Sequence, residues 1–149
     1  MNPPIRRQEK KIVAVSGGFD PVHIGHLRMF EEARQLVGPE GKLVVIINCD
    51  AWLTRKKGRA FMPQEERAEL IRGFRAVDEV YILESDRNDV SEALANIRPH
   101  IFANGGDRRS IADIPEAEVC EKYSIEMVFN IGHGGKIQSS SDLLKNYTS

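Results

Sequence analysis

The sequence predicts an α/β protein built on a five-stranded parallel sheet, and three observations carry that expectation. Five short apolar, β-branched-rich runs recur along the chain: Ile12-Val13-Ala14-Val15, Leu43-Val44-Val45-Ile46-Ile47, Val80-Tyr81-Ile82-Leu83, Ile101-Phe102-Ala103 and Ile125 to Ile131. They are continuous rather than alternating, the pattern of strands covered on both faces. Segments with helical periodicity separate them, so consecutive strands need crossovers, which makes the sheet parallel with right-handed connections. Finally, the residues able to do chemistry cluster just after the runs, where a parallel sheet gathers its ligands.

Each element has its own signal. After the first run, Ile24, Leu27, Phe30, Ala33 and Val37 form one helical stripe, ended by the turn-rich Gly38-Pro39-Glu40-Gly41. Pro63 stands where a first helical residue would, with Glu65 and Glu66 in the first turn and Ala68, Leu70, Ile71 and Phe74 beyond. Val90 to Ile97 reads as a short helix closed before Pro99. The segment from Asn48 to Gly58 reads as a loop. At 149 residues the chain has the length of one domain, spanning 1–149, with no internal repeat and a polar, Pro-containing segment 1–11 expected to be flexible.

Composition narrows the partners. Lys and Arg total 21 against 22 for Asp and Glu, so no global basic field suits nucleic acid and phosphate binding has to be local. Cys49 and Cys120 are too few for a disulfide scaffold and lack the spacing of a redox or zinc site, which fits a reducing cytoplasm. No run approaches the roughly 20 apolar residues of a membrane span, so no membrane partner is expected.

The richest stretch is Ser16-Gly17-Gly18-Phe19-Asp20-Pro21-Val22-His23-Ile24-Gly25-His26. Gly17 and Gly18 let the backbone turn sharply at the end of a buried strand and approach a ligand closely. A helix then begins, and its N-terminal amides and dipole favour anions. His23 and His26, three apart across that helix start, aim at one point and can donate to phosphate oxygens as charge develops on them. The alternative is that they cap the turn.

Other loops add candidates. Arg55, Lys56, Lys57 and Arg59 surround Gly58, a basic cluster that in isolation reads as a solvated loop. The fork of Arg67 suits a bidentate phosphate contact if its helix faces the cleft, or an ion pair with a neighbouring Glu if it does not. Asn104-Gly105-Gly106-Asp107 offers close backbone approach and a carboxylate, or a plain turn. Ser139, Ser140 and Ser141, ahead of Asp142 and Leu143, can cap a last helix and donate to phosphates at once.

His23-Ile24-Gly25-His26 after Gly18-Phe19-Asp20 resembles the cytidylyltransferase-like nucleotidyltransferase family, whose hallmark is HxGH following a G-x-F-D turn. The similarity continues through Asn48-Cys49-Asp50, Lys57-Gly58, Pro63-Gln64-Glu65-Glu66-Arg67, Ala76-Val77-Asp78-Glu79-Val80, Asn104 to Asp107 and Ser139 to Ser141. It is nearest to adenylyltransferases acting on heptose 1-phosphate, with glycerol-3-phosphate cytidylyltransferases more distant. The resemblance implies a Rossmann-like three-layer fold and an enzyme that moves a nucleoside monophosphate from an NTP, ATP before CTP, to a phosphorylated small molecule, releasing pyrophosphate. It implies His23, His26 and Lys57 as catalytic, with Lys56 the neighbouring alternative. Gly17, Gly18, Phe19, Asp20, Gly105, Asp107, Ser139, Ser140 and Ser141 would bind nucleotide, and Asp50 and Arg67 the acceptor. Mg²⁺ would be carried mainly by the NTP phosphates, with no metal site in the protein, and a homodimer is expected. The Arg found upstream of the serines in the cytidylyltransferases is absent; His133 and Lys136 are its candidate substitutes. CTP-dependent transfer to glycerol 3-phosphate, another polyol phosphate or a phosphonate is the alternative chemistry, and a non-catalytic nucleotide-binding module the alternative of another class.

Overall fold

The computed structural model describes residues 10–85, 89–105, 115–129 and 131–132. Its elements, in chain order, are β1 (Ile12–Gly17), α1 (Ile24–Gln35), β2 (Lys42–Asn48), α2 (Asp50–Lys57), α3 (Gln64–Arg72), β3 (Glu79–Leu83), α4 (Ser91–Ile97), β4 (Ile101–Ala103), α5 (Ala117–Lys122) and β5 (Glu126–Val128). The five strands form one parallel sheet in the order β3-β2-β1-β4-β5. All five expected strands are present.

Two faces follow from the pleat, which sends successive side chains to opposite sides. Val13 and Val15 of β1 and Leu43, Val45 and Ile47 of β2 share one face with Phe30 and Ala33 of α1 and Ala68 and Ile71 of α3. Ala14, Ile46 and Phe102 share the other with Ala93 and Leu94 of α4 and Cys120 of α5. Helix layers thus cover both sides of the sheet. Most of these side chains are fully buried, each contributing about 1.5–3 kcal/mol when it is a Val, Leu, Ile or Phe.

A polar bracket fixes the lower edge of the sheet. Asp78 accepts from the Leu43 amide at 2.8 Å and pairs with Arg34 near the end of α1. Arg34 also donates to the Gly41 carbonyl at 3.0 Å, and His100 Nδ1 accepts from the Ile12 amide at 3.0 Å. One helix and the starts of β1 and β2 are thereby tied together.

Three local expectations are corrected. Asp50–Lys57 is a helix rather than a loop; it was illegible because Leu53 is its only buried residue and it has no apolar stripe. Gly58 ends it with φ 94, a left-handed cap whose N–H bonds the Thr54 carbonyl at 2.8 Å. Pro63 is the extended N-cap of α3, not its first helical residue, and its carbonyl takes the Arg67 amide. The last strand is shorter than the apolar run, and α5 lies before it on a segment with no clear periodicity. The segment 1–9 and the residues expected to form a serine-capped last helix fall outside the described residues.

Cys120 is 2 % exposed, and burial, with Glu116 adding to it, pushes its thiol up to about 11 from 9.0. The folded state therefore holds the Cys120 proton more tightly than the unfolded chain does. This contribution to stability is whole below pH 9 and is lost as pH rises towards 11. Denaturation of wild type and Cys120→Ala across that window should show the wild type losing more stability with pH; parallel curves would contradict it.

Candidate active site

The strand order reverses at β1, with β2 and β3 to one side and β4 and β5 to the other. The carboxyl end of β1 therefore opens into the crevice where such sheets bind ligands. Gly17 and Gly18 stand there, and the packing shows why neither has a side chain. A Cβ on Gly17 would lie 2.9 Å from Cζ of Phe19, and one on Gly18 would lie 3.1 Å from Cδ2 of Leu53. The glycines admit protein atoms from beneath, which is a reason additional to ligand approach.

Phe19, at φ 53, is 4 % exposed and sets its ring edge-on to His26, with centroids 4.8 Å apart. Asp20 is fully buried, and its two carboxylate oxygens accept from the Phe61 and Met62 amides at 2.6 Å each. Both side chains were expected among the nucleotide contacts. They are instead occupied within the protein: Phe19 floors the turn, and Asp20 straps the segment before α3 onto it.

The histidines cap α1 reciprocally. His23 Nδ1 accepts from the Gly25 amide at 3.1 Å, and His26 Nδ1 accepts from the His23 amide at 3.1 Å. Their rings stack with centroids 3.8 Å apart. The alternative of capping is the one observed, and it leaves a donor, because a neutral imidazole that accepts at Nδ1 carries its proton at Nε2. Each ring is thus set as an Nε2–H donor, and two such donors lie side by side at a helix N-terminus.

α2 brings the lysines. Lys57 Nζ donates to the Asp20 carbonyl at 3.1 Å, which places that ammonium at the glycine-histidine turn. Lys56 Nζ sits instead over the Trp52 ring, 4.8 Å from its centroid. Of the two candidates, Lys57 is the one held at the turn.

Arg67 corrects the expectation of an acceptor phosphate contact. It is fully buried, and donates from Nε to the Met62 carbonyl at 2.9 Å, from Nη1 to the Gly18 and Asn48 carbonyls at 2.8 and 2.7 Å, and from Nη2 to Asp50 Oδ1 at 2.7 Å. Its fork grips the ends of β1 and β2 and the strap before α3. Asp50, paired with it, is a partner of this brace, and its own amide donates to Gln64 Oε1 at 2.8 Å. Gln64 and Met62 are parts of the site's frame that the sequence reading missed, Met62 through a backbone carbonyl that no residue pattern signals.

On the other flank, Gly105 follows β4 and is exposed. The Asn104 amide and carbonyl are both taken, by Val128 O at 2.7 Å and Ile131 N at 3.3 Å, so the turn is tied to β5 and its exit. Glu32 of α1 accepts from the Gly132 amide at 2.6 Å. Asp107, Ser139, Ser140 and Ser141, with His133 and Lys136, lie outside the described residues. Among the described residues no group of three or more His, Cys, Asp or Glu gathers in a way that would hold a metal, and no helix is long and apolar enough to cross a membrane.

With this geometry, the chain belongs to the cytidylyltransferase-like family of nucleotidyltransferases, whose family model matches residues 14–131. Among its relatives, the bifunctional protein HldE of Streptomyces coelicolor is 33% identical over 126 residues, covering 83% of this chain and 26% of that protein. The chain therefore spans about a quarter of HldE. The FAD synthase of Methanobrevibacter smithii is 36% identical over 141 residues, covering 91% of this chain and 89% of that one, and that of Thermococcus onnurineus is 42% identical over 106 residues, covering 70% and 68%. A lipopolysaccharide core biosynthesis protein from Thermoplasma volcanium shares the fold, with a TM-score of 0.63 at 22% identity over 86% of this chain and 98% of that one.

Replacing Arg67 by Met should cost at least about 3 kcal/mol, because three buried carbonyls lose a charged donor at once. Asp50→Asn, at a side chain 40% exposed, should cost under about 1 kcal/mol. Denaturant midpoints of the two variants test this, and a fully stable Arg67→Met protein would return Arg67 to the list of ligand contacts.

Proposed function

We propose that the protein transfers an adenylyl group from ATP to the phosphate of a small phosphorylated acceptor, a sugar 1-phosphate of the heptose type, and releases pyrophosphate. The observation that carries this reading is the stacked His23–His26 pair, both Nδ1 atoms engaged by backbone amides, at the start of α1 beside the glycine turn. Two preset Nε2–H donors suit a phosphate whose oxygens gain charge in a displacement.

In this reading an acceptor phosphate oxygen attacks the α-phosphorus. The new P–O bond forms as the bond to the β-phosphate bridge breaks, and pyrophosphate departs with that electron pair. The attacking oxygen is already anionic, so no base is required and no covalent enzyme intermediate arises. His23 and His26 hold the α-phosphate oxygens, and Lys57, already at the turn, adds a cation to the same phosphates. Catalysis is positioning with electrostatic stabilisation.

The carboxylates nearest the turn do not fit a protein-built magnesium cage: Asp20 has both oxygens taken by amides and Asp50 is paired with Arg67. Mg²⁺ is therefore read as part of the nucleotide salt, bound through its phosphate oxygens. The resemblance to heptose 1-phosphate adenylyltransferases supports the sugar acceptor. A second reading takes FMN as the acceptor, since FAD is FMN joined to AMP through their phosphates; the FAD synthase match along 91% of this chain favours it.

Pyrophosphate release should appear with ATP and a heptose 1-phosphate, or with ATP and FMN, and the productive pair names the acceptor. Strict use of CTP with glycerol phosphate would overturn adenylyl transfer, and nucleotide binding with no turnover of any acceptor would mark a non-catalytic module. His26→Ala should lower kcat roughly 10²- to 10³-fold, the scale for one donor to developing charge, with ATP affinity largely kept. Near-wild-type turnover would remove His26 from the chemistry.

A further inference from the structure

We propose that the indole of Trp52 is the wall against which the organic part of the acceptor packs, so that this side chain discriminates among phosphorylated acceptors. The inference rests on the adenylyl-transfer reading and concerns a residue that reading leaves without a role.

Trp52 is the chain's single tryptophan. It is half-buried, yet it belongs to neither of the two apolar cores that flank the sheet. Its neighbour Leu53 is what anchors α2, fully buried against the glycine turn. Trp52 rides on that anchor: a Cβ built on Gly18 would lie 3.8 Å from Trp52 Cζ3, so the indole lies against the turn that carries the site. One helical turn on, Lys56 holds its ammonium 4.8 Å from the ring centroid. A flat apolar ring with a cation over one face matches a phosphate monoester whose body has a flat apolar face. The isoalloxazine of FMN and the C–H face of a sugar 1-phosphate share that chemistry.

Topology assigns the wall to the acceptor. α2 follows β2, on the side of β1 away from β4 and β5. In-line displacement puts acceptor and departing pyrophosphate on opposite sides of the α-phosphorus. The resemblance implies nucleotide contacts on the loops after β4 and β5, which leaves the part of the β2 side beyond Lys57 for the acceptor.

Because Trp52 is the only tryptophan, emission of the wild-type protein reports on this one position. Titration with FMN, corrected against N-acetyltryptophanamide, and separately with a heptose 1-phosphate, should change it saturably for the acceptor that is turned over. ATP alone should leave it unchanged. Trp52→Leu should raise KM for that acceptor roughly tenfold, the scale of one lost stacking contact, with KM for ATP unaltered. Trp52→Phe should recover most of the loss. An unchanged acceptor KM in Trp52→Leu, or saturable quenching by ATP alone, overturns the proposal. Pyrophosphate release by wild type alongside an unaltered Trp52→Leu KM removes the wall and keeps adenylyl transfer; saturable quenching by an acceptor with no pyrophosphate from either does the reverse.

Discussion

The site depends on one buried guanidinium. Where β1 and β2 end, the backbone carbonyls that follow run out of ladder partners, and buried carbonyls need another donor. Arg67 enters from the first turn of α3 and takes the Gly18 and Asn48 carbonyls together with that of Met62. It satisfies those acceptors, and Asp50 balances its charge from 2.7 Å. A lysine could not replace it, since the geometry needs a rigid fork.

Around that brace the turn is built from below rather than shaped by a ligand. Phe19 fills the space a Gly17 side chain would occupy, Leu53 that of Gly18, and the Asp20 carboxylate draws the strap at Phe61 and Met62 inward. The backbone of the glycine turn is therefore a rigid shell with its own packed floor. Such preorganisation is what a reaction driven by placement requires, because donors already in position need not reorganise as charge moves.

The sheet was legible because its strands are continuous apolar runs, and α1, α3 and α4 because each shows a stripe or a stop signal. α2 was not: eight residues with one buried leucine and four charges carry no period, and the helix exists because Leu53 docks under Gly18. Within the site, the histidines, the glycines and the lysine at the turn could be read from spacing and family resemblance. The roles of Arg67, Asp20 and Asp50 could not, since a charged residue near a phosphate site looks the same in sequence whether it faces the ligand or the backbone. Burial separates the two cases, and burial of a charge is decided by long-range contacts: Arg67 meets Gly18 from 49 residues away.

The reciprocal cap on α1 has a consequence for the tautomer of both rings. Because backbone amides hold both Nδ1 atoms as acceptors, the ring proton of each neutral imidazole is the one at Nε2, and in His23 that nitrogen is buried. A second proton at Nδ1 would turn that acceptor into a donor facing an amide N–H, so these contacts require the neutral ring. A fold that caps a helix with its own histidines has, by the same contacts, fixed the orientation and the tautomer of both rings.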